Sequence, residues 1–203
     1  MTGWEVSIRV KTMLRVMVVD EDSERRQILQ QVLQKAGHQV VADVASTINM
    51  PNLVAKLLPD VIIIDTNSPD RDTLEHICVI TQDAPRPIIM FSADGDCRKI
   101  RDAVRAGVNA YVVDGLSPAR VQPIIDVAIA RFEDLQALRN ELASAQLQLA
   151  DRKHIERAKG ILMKQKALSE EAAYRLLRKM AMDENIKLVE VAEQVIRAAK
   201  LLL

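Results

Sequence analysis

Aromatic side chains and cysteines are scarce in this sequence of 203 residues, which contains two phenylalanines, two tyrosines, one tryptophan and two cysteines. A protein that binds single-stranded nucleic acid by stacking successive bases needs more aromatic rings, so extensive base stacking is not expected. Cys78 and Cys97 lack the spacing of metal ligands and are too few for a disulfide framework. We therefore expect reduced thiols, as in cytosolic proteins.

Long apolar runs are missing as well. No run approaches the roughly 20 residues that cross a bilayer, and charged residues interrupt the first 19, unlike the apolar core of a signal peptide. These absences predict a cytoplasmic protein without a membrane segment. Residues 1–12 differ in character from the rest of the chain, and we predict that they form a disordered extension.

Motifs of the common enzyme classes are also absent. The sequence has no Gly-rich phosphate loop and no nucleophile elbow. Its three histidines, His38, His76 and His154, fall in separate predicted elements, where each is better explained as a structural or exposed residue. The sequence therefore does not predict an enzyme.

Charge is balanced over the whole chain but uneven along it. The chain has 28 basic and 28 acidic residues, of which residues 151–203 hold 12 and 8, leaving 16 and 20 in residues 1–150. An acidic first part followed by a basic second part indicates two segments with different partners.

Five short apolar runs alternate with amphipathic segments between Leu14 and Val113. The runs read LRVMVV, HQVVADV, DVIII, RPIIMF and AYVV, and the segments between them have helical spacing. Continuous apolar strands separated by helices indicate a parallel sheet covered on both faces. We therefore predict an α/β domain over residues 13–120, with a doubly wound five-stranded parallel sheet of the flavodoxin-like kind.

A long helix is predicted to follow, because no glycine or proline occurs between Pro123 and Gly160, and its cap is expected at Ser117. Apolar residues recur at heptad spacing over residues 121–150, as in a coiled-coil linker that pairs two copies of a chain. The alternative is a long helix packed on its own C-terminal domain. The predicted interface positions are Val121, Ala128, Leu135, Leu138, Leu142 and Leu149.

Residues 151–203 are predicted to form a small all-helical module with helices at about 151–166, from Ser169 onward and at about 187–202. Its net charge of +4 suits contacts with phosphate groups, although a solvated charged surface is the simpler interpretation. The shortage of aromatic rings favours a folded RNA hairpin over a single strand. A helix-turn-helix reader of DNA is kept as an alternative.

Carboxylates and a hydroxyl follow the predicted strands at the edge where doubly wound sheets bind their ligands. Asp20 and Glu21 end the first strand, Asp65 ends the third and Ser92 ends the fourth. Carboxylates that share a small site need a cation between them, and Mg²⁺ prefers oxygen ligands. A carboxylate beside such an ion can accept a phosphoryl group. The sequence thus predicts an acidic pocket with Mg²⁺ as a candidate cofactor.

The segments VMVVDED, VIIIDTNSP, MFSAD and AYVVDG, in this order, resemble the receiver domains of response regulators over about residues 14–130. The resemblance implies that Asp65 is the phospho-acceptor and that Ser92 and Tyr111 are the switch hydroxyl and the switch aromatic. It also implies a histidine kinase as a candidate partner. The metal pocket that it implies consists of Asp20, Glu21, Asp65 and the backbone of Asn67.

One position departs from the receiver pattern. Receivers carry a lysine after the fifth strand, whereas this sequence has Asp114 followed by Gly115. If Asp114 faces the pocket, two carboxylates about 5 Å apart repel each other by about 3 kcal/mol at an effective dielectric of about 20. If it turns to solvent, the pocket simply lacks its cation. Either way, we predict a degenerate receiver in which phosphorylation is not the main switch.

The segments IERAKGILM, EEAAYRLLRKMAMDEN and LVEVAEQVI resemble the ANTAR domain over about residues 150–198. Members of that family bind paired stem-loops in leader transcripts and prevent a terminator hairpin from forming. The resemblance thus makes residues 151–203 an RNA-binding domain. The residues expected to touch RNA are Lys159, Arg178 and Lys187, with Tyr174 as a stacking residue and Lys164 and Lys179 as further candidates.

A receiver, a coiled coil and an ANTAR domain in one chain resemble the NasT-type nitrate-assimilation antiterminators. That resemblance implies a homodimer held inactive by a nitrate- or nitrite-sensing partner protein. Two alternative functions are kept. A phosphorylation-dependent regulator would prefer duplex DNA, and an enzyme of the doubly wound class would need a catalytic grouping that this sequence lacks.

Overall fold

A computed structural model describes residues 13–113 and 118–201, which fall into two compact units that divide between Leu135 and Gln136. The predicted extension at residues 1–12, the helix cap at Ser117 and the departure at Asp114 lie outside the described residues.

The N-terminal unit alternates strands and helices, as the apolar runs predicted. Its elements are β1 (Arg15–Asp20), α1 (Ser23–Lys35), β2 (Gln39–Val44), α2 (Met50–Leu57), β3 (Val61–Thr66), α3 (Arg71–Asp83), β4 (Ile88–Ser92), α4 (Cys97–Ala106), β5 (Ala110–Val113) and the start of α5 (Pro118–Lys166). The five strands are parallel and lie in the order β2-β1-β3-β4-β5. The predicted doubly wound sheet is confirmed.

Both faces of the sheet are covered by apolar side chains. On one face, Met17 and Val19 pack with residues of α2, α3 and α4. On the other, Val16 and Val18 pack with residues of α1 and of the first turns of α5. Because alternate residues of a strand point to opposite faces, a strand buried on both sides must be apolar throughout. This is why β1, β3 and β4 read as continuous apolar runs.

Helix α5 runs without a break from Pro118 to Lys166, over 49 residues. The predicted linker at 121–150 and the first predicted helix of the module, at about 151–166, are therefore parts of one helix. None of the helices in the described part of the chain is long and apolar enough to span a membrane.

The C-terminal unit packs the end of α5 with α6 (Glu170–Glu184) and α7 (Leu188–Leu201). Its core joins Ala158 and Leu162 of α5 with residues of α6 and α7. Helix α6 begins as predicted, because the side chain of Ser169 accepts a hydrogen bond from the backbone N–H of Ala172 at 3.3 Å. It ends at Asn185, whose left-handed backbone closes the helix.

Candidate functional site

The carboxyl ends of β1, β3 and β4 bring three predicted site residues to one edge of the sheet. Asp20 lies opposite Asp65 in the β1–β3 register, and Ser92 ends the next strand opposite Thr66. All three side chains are buried. Glu21, the other predicted carboxylate, is exposed. The structure thus brings together Asp20, Asp65 and Ser92 and leaves Glu21 at the surface.

A guanidinium group lies between these carboxylates. Arg25, on the first turn of α1, donates from Nη2 to Asp20 Oδ1 at 2.9 Å and from Nε to Asp20 Oδ2 at 3.1 Å. Its Nε is also 3.9 Å from Asp65 Oδ2, and its Nη1 donates to Asn67 Oδ1 at 3.4 Å. Sequence reasoning missed this residue, because an arginine near a helix start reads as a solvated charge.

The backbone around Asp20 is held by the same short segment. The N–H of Asp22 donates to Asp20 Oδ1 at 2.8 Å, and Arg26 donates to the carbonyl oxygen of Asp20. Arg26 also forms an ion pair with Asp43 of β2, with Nε 2.7 Å from Oδ1. Two consecutive arginines therefore contact Asp20, one at its side chain and one at its main chain.

The pKa of the Asp65 carboxyl is raised above its ordinary value. Burial is the main cause, since it disfavours the charged form, and the nearby Asp20 carboxylate adds to it; Arg25 opposes both. A carboxylate that is hard to keep ionised destabilises the folded state at neutral pH. The cost disappears as the pH falls, because folded Asp65 takes up its proton before the unfolded chain does.

Asp65→Asn is therefore expected to raise the melting temperature at neutral pH. The gain should shrink as the pH falls through the raised pKa of Asp65, and should vanish near the unfolded value of 3.8. Thermal unfolding monitored by circular dichroism over a pH series measures the effect. Asp183→Asn, at an exposed carboxylate of α6, is the control. A gain that is absent or independent of pH would contradict the assigned cause.

The groups at this edge do not fit a magnesium ion as they are arranged. Both carboxylate oxygens of Asp20 are bound to Arg25, and the backbone oxygen of Asn67 accepts a hydrogen bond from Ser92 Oγ at 3.1 Å. Within residues 13–113 and 118–201, no group of three or more histidine, cysteine, aspartate or glutamate side chains is placed to hold a metal. A guanidinium group lies where the predicted cation would have to bind.

The two predicted switch hydroxyls are both engaged by the backbone. Ser92 Oγ donates to Asn67 and accepts from the N–H of Asp94 at 3.1 Å, while Tyr111 Oη donates to the carbonyl oxygen of Asp94 at 2.8 Å. The loop after β4 thus connects the two side chains. The third predicted switch residue, Asp114, lies outside the described residues.

A second ion pair lies next to the switch residues. Lys99 Nζ on α4 is 2.7 Å from Asp94 Oδ2 and 2.5 Å from Ser68 Oγ, and Ser68 Oγ donates to Asp94 Oδ2 at 2.8 Å. The Lys99 ammonium is the main cause that lowers the pKa of Asp94 to about 2. Lys99 therefore links the loop after β3 to the loop after β4.

The predicted RNA-contact residues differ in accessibility. Lys164, Lys179, Arg178 and Lys187 are exposed, and Tyr174 has 43% of its surface exposed. Lys159 is only 8% exposed and lies 2.7 Å from Glu170 Oε1 and 2.9 Å from Glu156 Oε1. A buried, doubly paired ammonium is not available to a phosphate group. We therefore assign Lys159 to holding the start of α6 against α5.

The predicted coiled-coil positions also divide into two groups. Val121 and Ala128 are buried in the core of the N-terminal unit, so they are not available to a partner helix. The prediction that these two residues belong to a coiled-coil interface is therefore wrong. Their burial follows from the first turns of α5 covering one face of the sheet. The exposed members are Leu135, Leu138, Leu142 and Leu149, which we call the leucine stripe.

Comparison with known families gives two matches. Residues 16–126 match the response regulator receiver domain, and residues 143–196 match the ANTAR domain. Together these matches span both units.

Two curated proteins illustrate the similarity. The chain is 29% identical over 196 residues to the transcriptional regulatory protein PdtaR of Mycobacterium tuberculosis, covering 97% of this chain and 96% of that one. It is 49% identical over 59 residues to the nitrate regulatory protein of Klebsiella oxytoca, covering 29% of this chain and 15% of that one.

Solved structures resemble the N-terminal unit. The receiver domain of a modulated diguanylate cyclase from Desulfovibrio desulfuricans aligns with a TM-score of 0.53 at 18% identity, covering 60% of this chain and 97% of that one. The response regulator domain of Thermotoga maritima CheB aligns with a TM-score of 0.50 at 23% identity, with the same coverage of 60% and 97%. At these identities the likeness concerns the fold alone.

Proposed function

The chain belongs to the response regulator receiver family and carries an ANTAR domain after its receiver, and we propose that it is an RNA-binding regulator of transcription antitermination. Its targets are stem-loops in leader transcripts, and binding them keeps a terminator hairpin from forming. The observation that carries this proposal is a set of exposed cations on the ANTAR domain that have no carboxylate partner within the described residues.

These cations lie on two helices of the domain and directly before the third. Arg178 and Lys179 are on α6, Lys164 is near the end of α5, and Lys187 directly precedes α7. Among residues 13–113 and 118–201, none of the four has an ion-pair partner. Unpaired cations are free to contact phosphate groups, which supply most of the affinity for nucleic acid.

Tyr174 supports RNA over duplex DNA as the ligand. It lies one helical turn before Arg178 on the same face of α6, because residues four apart are neighbours on a helix. An exposed ring beside a cation can stack on a base splayed out from an RNA loop, whereas bases inside a duplex are not accessible to it. One such ring per domain suits a single loop base better than a run of stacked bases.

We propose that the regulator acts as a homodimer through the leucine stripe. Four leucines at heptad-related positions, each more than half exposed, lie along the middle of α5. Exposed leucines at this spacing are stabilised when they pack against the same stripe of a second copy. Two joined ANTAR domains then bind two stem-loops with a raised effective concentration.

We propose a docking role for the receiver, in which Asp65 phosphorylation is not the main switch. A cytoplasmic partner that senses nitrate or nitrite holds the regulator inactive by binding it, and a histidine kinase is the alternative partner. Arg25 in the acidic pocket and the backbone bonds of Ser92 and Tyr111 support this, since they hold the site without a phosphoryl group. The similarity to a nitrate regulatory protein supports nitrate or nitrite as the signal.

The test measures how tightly the full chain binds different nucleic acids. We expect tight, salt-sensitive binding to a leader RNA with two hairpins, weaker binding to one hairpin, and little binding to duplex DNA of the same sequence. A small phosphodonor with Mg²⁺ should leave the RNA affinity unchanged. Gel-shift titrations measure each affinity, and mass spectrometry measures labelling of Asp65. Stoichiometric labelling that switches on binding to duplex DNA would instead identify a phosphorylation-dependent DNA regulator.

A further inference from the structure

The acidic pocket of the receiver already contains a positive charge of its own. Arg25 contacts both oxygens of Asp20 at 2.9 and 3.1 Å, approaches Asp65 at 3.9 Å and reaches the side-chain oxygen of Asn67 at 3.4 Å. We propose that Arg25 is the built-in cation of this pocket and takes the place of a divalent metal ion. The proposal concerns the receiver alone and does not depend on RNA binding.

The contacts of Arg25 are unlike those of a surface ion pair. Asp20 is 1% exposed, whereas the arginine is 39% exposed, so the guanidinium covers a carboxylate that is otherwise cut off from water. A buried carboxylate needs a paired cation, because its charge is costly to remove from water. The pair between Arg71 and Glu75 on α3 is the contrast, since both of its members are largely exposed.

Local structure fixes Arg25 in this place. Asp22 caps α1 by accepting hydrogen bonds from the backbone N–H groups of Glu24 and Arg25, at 2.8 and 3.2 Å. The cap orients the first turn of α1, from which the Arg25 side chain crosses to Asp20 and Asp65. Asp20 is the main cause that raises the pKa of Arg25, so the guanidinium stays charged.

The same contacts oppose the binding of a metal ion. A divalent cation here would use the carboxylate oxygens of Asp20 as ligands, but both oxygens already face the guanidinium of Arg25, and Oδ1 accepts a second hydrogen bond from the N–H of Asp22. It would also have to bind close to the positive charge of Arg25, and like charges at short range repel each other. The receiver should therefore keep one conformation whether or not Mg²⁺ is present.

The experiment measures Mg²⁺ binding to the full chain and to four variants. Wild type, Arg25→Met, Arg25→Lys and Arg71→Met are unfolded thermally in MgCl₂ and in NaCl of equal ionic strength, and are titrated with Mg²⁺ by calorimetry. Arg71→Met removes an arginine from an exposed pair and is the matched control. The double variant Arg25→Met/Asp20→Asn tests whether any new site uses Asp20.

We expect no saturable Mg²⁺ binding to wild type or to Arg71→Met. Arg25→Met should melt at a lower temperature, should recover part of the loss in MgCl₂, and should bind Mg²⁺ at least about tenfold more tightly than wild type, since a repelling charge is gone. The double variant should lose this gain, and Arg25→Lys should resemble wild type.

The single variant Asp20→Asn is titrated as well. Two results would overturn the proposal. One is saturable binding of Mg²⁺ to wild type that Asp20→Asn abolishes, which can be measured even if Arg25→Met does not fold. The other is a folded Arg25→Met that neither binds Mg²⁺ nor gains stability from it. RNA affinity is measured in parallel for wild type and Arg25→Met in NaCl without Mg²⁺ and is expected to be the same for both, so a failure here is separate from a failure of RNA recognition.

Discussion

Arg178→Glu is expected to weaken binding to a leader RNA with two hairpins about a hundredfold or more. Arg178 is exposed on α6 and has no ion-pair partner in the described part of the chain, so it is free to contact RNA phosphates or a loop base. A nucleic-acid contact of this kind contributes about 1–3 kcal/mol. A dimer loses two such contacts, and each new glutamate carboxylate repels the RNA phosphates.

The measurement is a gel-shift titration at several salt concentrations. The variant should also show a weaker dependence of affinity on salt, because fewer counterions are released on binding. Its melting temperature should match that of wild type, since an exposed side chain is replaced. Arg71→Glu, an equal charge reversal on the receiver, is the control and should keep its RNA affinity. An unchanged affinity of Arg178→Glu would count against this face of the ANTAR domain as the RNA-binding surface.

Replacing Leu135, Leu142 and Leu149 together with glutamine is expected to give a monomer. Glutamine forms helices nearly as well as leucine, so α5 should persist while the stripe loses its apolar contacts. Without the second ANTAR domain held nearby, the affinity for paired hairpins should fall about 10²–10⁴-fold, whereas the affinity for one hairpin should hardly change. Sedimentation velocity and gel shifts measure the two effects.

Leu147→Gln provides the control for this change. Leu147 is 64% exposed on the same helix but lies five residues after Leu142, on the side away from the heptad stripe. It should remain dimeric with full affinity. If the triple variant stays dimeric, the copies do not pair through the stripe. If it is destabilised in its ANTAR domain instead, the stripe packs within one chain, which was the alternative drawn from the sequence.

The sheet could be predicted because its signals are local and repeated. Each strand of the N-terminal unit is an apolar run, and each ends where a polar residue follows, so Asp20, Asp65 and Ser92 could be assigned to one edge. A long, continuous α5 could also be predicted, because no glycine or proline occurs between Pro123 and Gly160. The expected boundary near residue 150 followed from the end of the heptad pattern and the start of the basic segment, and the backbone has no break there.

The side-chain partners could not be predicted from the sequence. Arg25 and Lys159 look like ordinary helix charges, yet one covers a buried carboxylate and the other is itself buried between two glutamates. Periodicity identifies the apolar face of a helix but does not indicate where a long, flexible side chain ends. Val121 and Ala128 show the reverse case, since their heptad spacing is compatible with a coiled coil and also with packing on the sheet.

The link made by Lys99 has a consequence for how the receiver edge moves. One ammonium group binds Ser68 in the loop after β3 and Asp94 in the loop after β4, and Asp94 in turn accepts a hydrogen bond from Tyr111. Opening either loop breaks bonds that the other shares, so we expect the two loops to open together. A protein that binds one loop should therefore also slow the opening of the other, so that a partner docked at the end of β3 is felt at the ends of β4 and β5.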